Sequence, residues 1–195
     1  MMHIQTIIPD RLYSVQDLVP DHVVLAIQAQ DWLAFPSSPG YGQETWSRRC
    51  VDNNSVLQEV NSHISQAVGQ INQQLGTRFD IRGGVVWWLD LPGFNVKVHC
   101  DNPGVKTALQ MYWIAPSEQH GTVFYSDNQP GVDFTARPSD QLELVHQFLS
   151  RANTGYLMRN EPDPVTGQPP RLWHGMHNPV PAGHIRLSSY TILYE

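Results

Sequence analysis

From Ser55 to Gly76 the apolar residues Leu57, Val60, Ile64, Ala67, Val68, Ile71 and Leu75 recur at intervals of three and four. That spacing lays them along one face of a helix with 3.6 residues per turn. Ser55-x-x-Gln58 ahead of the run reads as a capping box, and Gly76 as the C-terminal stop. The pattern predicts a long amphipathic helix that supports one face of a sheet. Asp21 to Phe35 reads as a second helix, although Val23-Val24-Leu25-Ala26-Ile27 is short enough to be a strand. Pro36-Ser37-Ser38-Pro39-Gly40-Tyr41-Gly42 is loop material inside one domain, because apolar structure resumes on both sides without a shift in charge or complexity.

From Gly83 onward the period shortens to that of strands. Val85 to Leu89, Phe94 to His99, Ala108 to Ile114, Val123 to Tyr125, His146 to Leu149, Gly155 to Met158, Leu172 to Gly175 and Ile185 to Leu193 alternate with turn signals. They make about eight, the count of a jelly roll. In the last of them Ile185, Leu187 and Leu193 face one way, suited to helices packed outside, while Arg186, Ser188 and Tyr190 face the other. A polar row inside a buried strand is costly without a ligand to satisfy it. The interior is therefore expected to open onto a site. Gln110 and Tyr112 follow the same logic on their strand: they line that pocket or pair with each other.

Composition agrees with one compact enzyme domain. A chain of 195 residues can bury one good core, and 41% hydrophobic against 15% charged residues fits a β-rich globular protein. With only 12 Lys and Arg and a formal charge of −6, the basic stripe of a nucleic-acid binder is missing. The basic pair Arg48-Arg49 reads as solvated or locally salt-bridged. Two cysteines, Cys50 and Cys100, are too few for a disulfide framework. No run of eighteen apolar residues and no signal-peptide pattern is present, so a reducing cytoplasm and no membrane are expected.

The chemistry concentrates in Val98-His99-Cys100-Asp101-Asn102-Pro103, Trp173-His174-Gly175 and Ile185-Arg186-Leu187-Ser188. Residues two apart on a strand share a side, so His99 and Asp101 can reach one ion while Cys100 points away to pack. A third ligand must come from another strand, and His174 can fill that place. Two imidazoles and a carboxylate on one face of an octahedral ion are the set used by non-haem Fe(II) oxygenases, which keep three positions open. Arg186, on the strand beside the one carrying His174, offers a fork suited to a carboxylate, and Ser188 adds a hydroxyl on the same face. A dicarboxylate held at one end by metal and at the other by arginine would use the whole set.

On these residues, together with Thr107 to Trp113 and Gly121-Thr122-Val123-Phe124, the chain resembles the Fe(II)- and 2-oxoglutarate-dependent dioxygenases, in their small prolyl-hydroxylase-like branch. The resemblance spans roughly the C-terminal half. It implies a mainly β fold with N-terminal helices, a double-stranded β-helix of the jelly-roll, cupin-like kind, in a single domain over 1–195: 1–80 mainly helical support and 81–195 the β-helix core. It implies His99, Asp101 and His174 as iron ligands and Arg186 with Ser188 as the holders of the distal carboxylate of 2-oxoglutarate, with Gln110 and Tyr112 beside them. Fe(II), 2-oxoglutarate and O2 would then oxidise a small-molecule or peptide substrate, with hydroxylation as the outcome and succinate and CO2 released. One departure is that His120 stands before Gly121, where the branch usually has a glycine pair. The alternative is a cupin-like metal-binding protein or another metalloenzyme on the same barrel, which would recruit further histidines such as His177 or His184.

Among the other histidines, His3, His22, His63, His120 and His146 have no partner at ligand spacing. His177 turns to the opposite face from His174, while His184, two before Arg186, is expected to face inward near the site. Tyr41, Trp46, Trp87, Trp113 and Trp173 either line a substrate cleft or fill the core.

Overall fold

The computed structural model describes residues 2–39, 47–52, 54–101, 105–126, 142–160 and 172–195. In chain order these form β1 (His3–Ile8), β2 (Leu12–Gln16), α1 (Asp21–Gln28), β3 (Ser37–Pro39), β4 (Arg48–Val51), α2 (Ser55–Leu75), β5 (Asp80–Asp90), β6 (Thr107–Ile114), β7 (Thr122–Ser126), β8 (Glu143–Gln147), β9 (Thr154–Arg159), β10 (Leu172–Met176) and β11 (Arg186–Tyr194). The protein is mostly β. Eight strands make one antiparallel sheet in the order β1-β2-β9-β6-β11-β5-β4-β3, and three make a second in the order β10-β7-β8.

The strand alternation sorts the chain into two faces. Trp87 and Leu89 of β5, Leu109, Met111 and Trp113 of β6, and Leu187 and Leu193 of β11 join the buried faces of α1 and α2 in one core on the outside of the large sheet. The helical stripe is buried as its spacing requires: Leu57, Val60, Ile64, Ala67, Val68 and Ile71 all lie inside. Asn61 of α2 accepts a 3.0 Å hydrogen bond from Trp87 Nε1, which pins the helix to the sheet. The cap lies one residue earlier than the sequence motif suggests. Asn54 Oδ1 accepts from the Leu57 backbone N–H at 3.0 Å, while Ser55 is already helical; asparagine caps as well as serine does. Gly76 closes the helix at φ 67°.

Several expectations are corrected. The N-terminal part carries strands as well as the two helices, since β1 and β2 precede the first helix and β4 extends the large sheet. Leu12 to Val15 are all buried because both faces of β2 are covered, Leu12 packing in one core and Tyr13 and Val15 in the other, so no period-two alternation survives in the sequence. Asp21–Gln28 is a helix and not a strand: Val23 and Ile27 are buried while Leu25, which a strand would turn to the same side, is 64% exposed. Ser37–Pro39 is a short strand, and 40–42 of that presumed loop lie outside the described residues. The β8 strand ends at Gln147 instead of reaching Leu149. Phe94 to His99 is not a regular strand. It runs beside the segment from His174 to Val180 through Met176 N–H to Val96 O and Val180 N–H to Phe94 O, both 2.9 Å, and closes with a single bridge between His99 and His174.

Candidate metal centre

That bridge brings two distant imidazoles together. His99 N–H donates to His174 O at 2.9 Å and His174 N–H to His99 O at 2.8 Å. Gly175 makes the approach possible, because a Cβ there would lie 2.9 Å from Val96 O and from Val98 Cα. The two rings sit 4.6 Å apart between centroids, with Phe124 stacked on His174 at 5.3 Å.

Each Nδ1 is tied to the carbonyl two residues back, His99 to Lys97 O at 2.8 Å and His174 to Leu172 O at 3.0 Å. A carbonyl can only accept, so in the neutral rings Nδ1 carries the proton and Nε2 keeps its lone pair. Both Nε2 atoms face Asp101 Oδ1, at 3.7 Å from His99 and 3.5 Å from His174. Two donors each about 2.1 Å from a shared ion stand at most about 4.2 Å apart, and both gaps fall inside that limit. Among the described residues, His99, Asp101 and His174 are the cluster whose ligand atoms all lie within 4.8 Å of one another. Burial alone would raise the Asp101 carboxyl, but the charge and hydrogen bonds of His174 and His99 outweigh it and hold it well below the usual carboxylate range. For His174 burial opposes the charged form, and Asp101 overrides it and raises the imidazole above its ordinary value. This donor set suits a divalent cation, with two imidazole nitrogens that keep their lone pairs and one ionised oxygen, all oriented beforehand by backbone and neighbours.

The three residues line a cavity of about 240 Å³ with Arg186, Arg48, Gln110, Thr122, Tyr156, Tyr190 and Trp88. At ~30 Å³ per water, that is space for roughly eight waters, enough for a small dicarboxylate beside an ion. Arg186 stands on β11 of the large sheet and His174 on β10 of the small one, so they are not on neighbouring strands as the sequence suggests; the cavity is shared between the sheets. Arg186 is 1% exposed. Its Nε and Nη2 donate to Asp90 Oδ2 at 2.8 and 2.6 Å, and its Nη1 to His120 O at 2.9 Å. Three of the five guanidinium N–H groups are thereby used, leaving one each on Nη1 and Nη2 with no partner among the described residues. Gly121 holds His120 in place, since a Cβ on it would meet Phe148 O at 1.9 Å. Ser188 is fully buried on the same face, and its Oγ has no hydrogen-bond partner among the described residues. A buried hydroxyl of that kind costs free energy until something binds it.

Gln110 lines the cavity and accepts from Tyr156 Oη at 2.8 Å. Tyr112 is enclosed: its hydroxyl pairs with Thr122 Oγ1 at 2.6 Å and accepts from Thr122 N–H at 2.8 Å. The two therefore do not pair with each other. His177 and His184 are both exposed, so His184 does not face inward. Trp87, Trp113 and Trp173 are core, while Tyr41 and Trp46 lie outside the described residues.

Solved structures of similar fold are known. A non-heme alpha ketoglutarate dependent epimerase, SnoN from nogalamycin biosynthesis, superposes with a TM-score of 0.65 at 14% identity, over 95% of this chain and 79% of that one. HygX from Streptomyces hygroscopicus, solved with nickel and 2-oxoglutarate bound, gives 0.61 at 9% identity over 92% and 81%. The collagen prolyl hydroxylase of Paramecium Bursaria Chlorella virus-1, in its 2-oxoglutarate complex, gives 0.58 at 15% over 95% and 96%. The chain has their fold. No protein-family model matches the sequence, and no curated protein does either.

Three further residues belong to the surroundings of the cavity: Tyr190, already read as inward-facing, and Asp90 and Arg48, which sequence reasoning did not place there. Tyr190 donates to Asp101 Oδ2 at 3.1 Å, fixing the carboxylate from the side away from the histidines; burial first, then the Asp101 charge, keeps its hydroxyl protonated. Arg48 lines the cavity and is paired to Asp90, which is itself completely buried. Tyr190 was legible as an inward residue of the last strand. Asp90 and Arg48 were not, because their pairing depends on which strands neighbour each other. No helix among the described residues is long and apolar enough to cross a membrane.

Proposed function

We propose that the protein is an Fe(II)- and 2-oxoglutarate-dependent dioxygenase built as one domain on a double-stranded β-helix, hydroxylating a small-molecule or peptide substrate. The observation that carries the reading is the shared cavity: three converging ligand atoms at one side and a buried guanidinium with two unspent N–H groups in the same enclosure. His99, Asp101 and His174 hold the ion, and Arg186 with Ser188 receives the distal carboxylate of 2-oxoglutarate. Gln110 and Tyr156 form the polar wall next to it, while Tyr112 braces Thr122 from behind.

When bound, iron with 2-oxoglutarate and O2 supplies the oxidising chemistry, with succinate and CO2 as co-products. What the chain's own residues supply is order. The Nδ1 ties and Tyr190 fix three ligands before the ion arrives, so little is lost in organising them. Phe124 and Phe148 meet at 5.5 Å edge to face beside His174 and keep that flank dry. Arg186 stands on β11 of the large sheet, while His174 on β10 of the small sheet, with His99 bridged to it, carries the other end, so a molecule spanning them is held from two separate elements.

The test is a turnover screen of peptides, free amino acids and nucleosides with Fe(II) and 2-oxoglutarate, reading succinate. Iron-dependent succinate release that rises with one substrate class is expected. No release with any class, together with no 2-oxoglutarate binding, would favour a cupin-like binding protein.

A further inference from the structure

Arg48, Asp90 and Arg186 stand in one row across three adjacent strands. Asp90 is the ladder partner of Arg48 on β4 and of Arg186 on β11. Its Oδ1 accepts from Arg48 Nε at 2.6 Å and its Oδ2 from Arg186 Nε and Nη2, with Arg48 Nη2 at 3.2 Å. The carboxylate is 0% exposed, and the side chains of the two arginines are 14% and 2% exposed. Phe94 lies beneath both guanidiniums, with centroid distances of 4.1 Å to Arg48 Cζ and 5.8 Å to Arg186 Cζ. Trp88 adds a second face for Arg48 at 4.8 Å.

A buried carboxylate needs one cation to neutralise it; this one has two. Had Arg186 alone faced Asp90, that end of the cavity would carry no net charge and would have little attraction for an anion. Two guanidiniums against one carboxylate leave a surplus of one positive charge, and Arg48 is the residue that makes the difference. At the other end a divalent ion against Asp101 also leaves one. The two surpluses sum to the charge of a dicarboxylate. The orientation follows from the same row. Asp90 holds the Nε–Nη2 edge of Arg186 and His120 O takes one Nη1 hydrogen, so the guanidinium plane is fixed where it lines the cavity. A pair serving stability alone would have no reason to border the cavity, as Arg48 and Arg186 both do.

We propose that Arg48 and Asp90 are specificity-determining residues of this cavity: Asp90 orients the Arg186 fork, and Arg48 supplies the charge surplus that selects a 2-oxo dicarboxylate over a 2-oxo monocarboxylate. This rests on 2-oxoglutarate being the co-substrate. Neither residue needs to touch the reacting atoms, and both act through Arg186 and the field of the row.

Anaerobic calorimetry on the Mn(II)-loaded protein tests it, with 2-oxoglutarate and with 2-oxobutyrate, which lacks the second carboxylate. Arg48→Gln leaves Asp90 paired to Arg186 and so keeps the buried charge compensated. It is expected to weaken 2-oxoglutarate about ten- to a hundred-fold and to flatten the salt dependence of binding, with 2-oxobutyrate unchanged. Arg48→Lys restores the charge without the fork and recovers part of the loss. Asp90→Asn is expected to weaken 2-oxoglutarate although it makes the cavity more positive; tighter binding would overturn the orienting role. Arg48→Gln binding 2-oxoglutarate as wild type does, or losing both acids equally, overturns the selective role. A wild-type protein that binds no 2-oxoglutarate with Mn(II) present brings down the functional reading, and this proposal with it.

Discussion

Asp90 stands directly opposite Arg186 across the β5–β11 ladder and takes the Nε–Nη2 edge of its guanidinium at 2.8 and 2.6 Å. The arginine is thus a member of a buried ion cluster before any ligand arrives, and its removal has two separate consequences.

Arg186→Ala removes one of the two cations that compensate a fully buried carboxylate. Breaking a buried pair costs about 3–5 kcal/mol. Because Arg48 remains on Asp90, folding stability should fall toward the lower figure. Affinity for 2-oxoglutarate should fall by roughly two orders of magnitude or more, with Arg186→Lys between wild type and alanine. Urea denaturation and anaerobic calorimetry read the two effects separately; unchanged stability would mean that Asp90 does not depend on this arginine.

Ser188→Ala should move stability and affinity in opposite directions. The Oγ is buried without a partner among the described residues, so deleting it from the ligand-free protein should leave stability equal or raise it by about 1 kcal/mol. The same deletion removes a donor to the bound carboxylate and should weaken 2-oxoglutarate by about 1 kcal/mol, or several-fold. A variant that is both less stable and equally tight would place the hydroxyl elsewhere.

The pH dependence has a definite sign. His174 is raised above its ordinary 6.5 by Asp101, so in the metal-free protein its proton adds stability below that value, and the contribution is lost as pH rises through the folded pKa. A metal ion must displace that proton, while Asp101 stays ionised throughout. The rise in Tm on adding Mn(II) should therefore be larger at pH 7.5 than at pH 5.5, values chosen about one unit on either side of a free imidazole. Comparing the Tm increment cancels other titrating groups, such as His146, whose imidazole burial lowers. An increment independent of pH would contradict imidazole ligation.

How much of this was legible in the sequence differs between the two ends of the cavity. Each candidate ligand belongs to a short local pattern, His99 and Asp101 two apart and His174 before a glycine, and so does the candidate anchor, Arg186 two before Ser188. The convergence of those patterns could be expected without coordinates. The long helix was equally readable, since burial of a stripe is a local matter. The arrangement of strands was not. β2 gains its neighbour β9 from far along the chain, and Phe94 to His99 carries a strand-like sequence yet makes only scattered bonds to the segment after His174. Arg48 read as solvated or locally salt-bridged; it is salt-bridged, but its partner Asp90 is far along the chain, and nothing in Arg48-Arg49-Cys50 shows that β4 lies against it. His120 looked idle because what it contributes is its backbone carbonyl, to which Arg186 donates.

The most direct measurement is anaerobic calorimetry of 2-oxoglutarate into wild-type protein with and without Mn(II), repeated with His174→Ala of verified fold by circular dichroism. If His99, Asp101 and His174 hold one ion that receives one end of the acid while Arg186 receives the other, binding is equimolar with Mn(II) and sharply weaker without it. The His174→Ala protein then keeps its helices and loses both metal and metal-dependent binding. Equal affinity with and without the ion, or an alanine variant that still binds metal and 2-oxoglutarate one to one, would contradict the account at its centre.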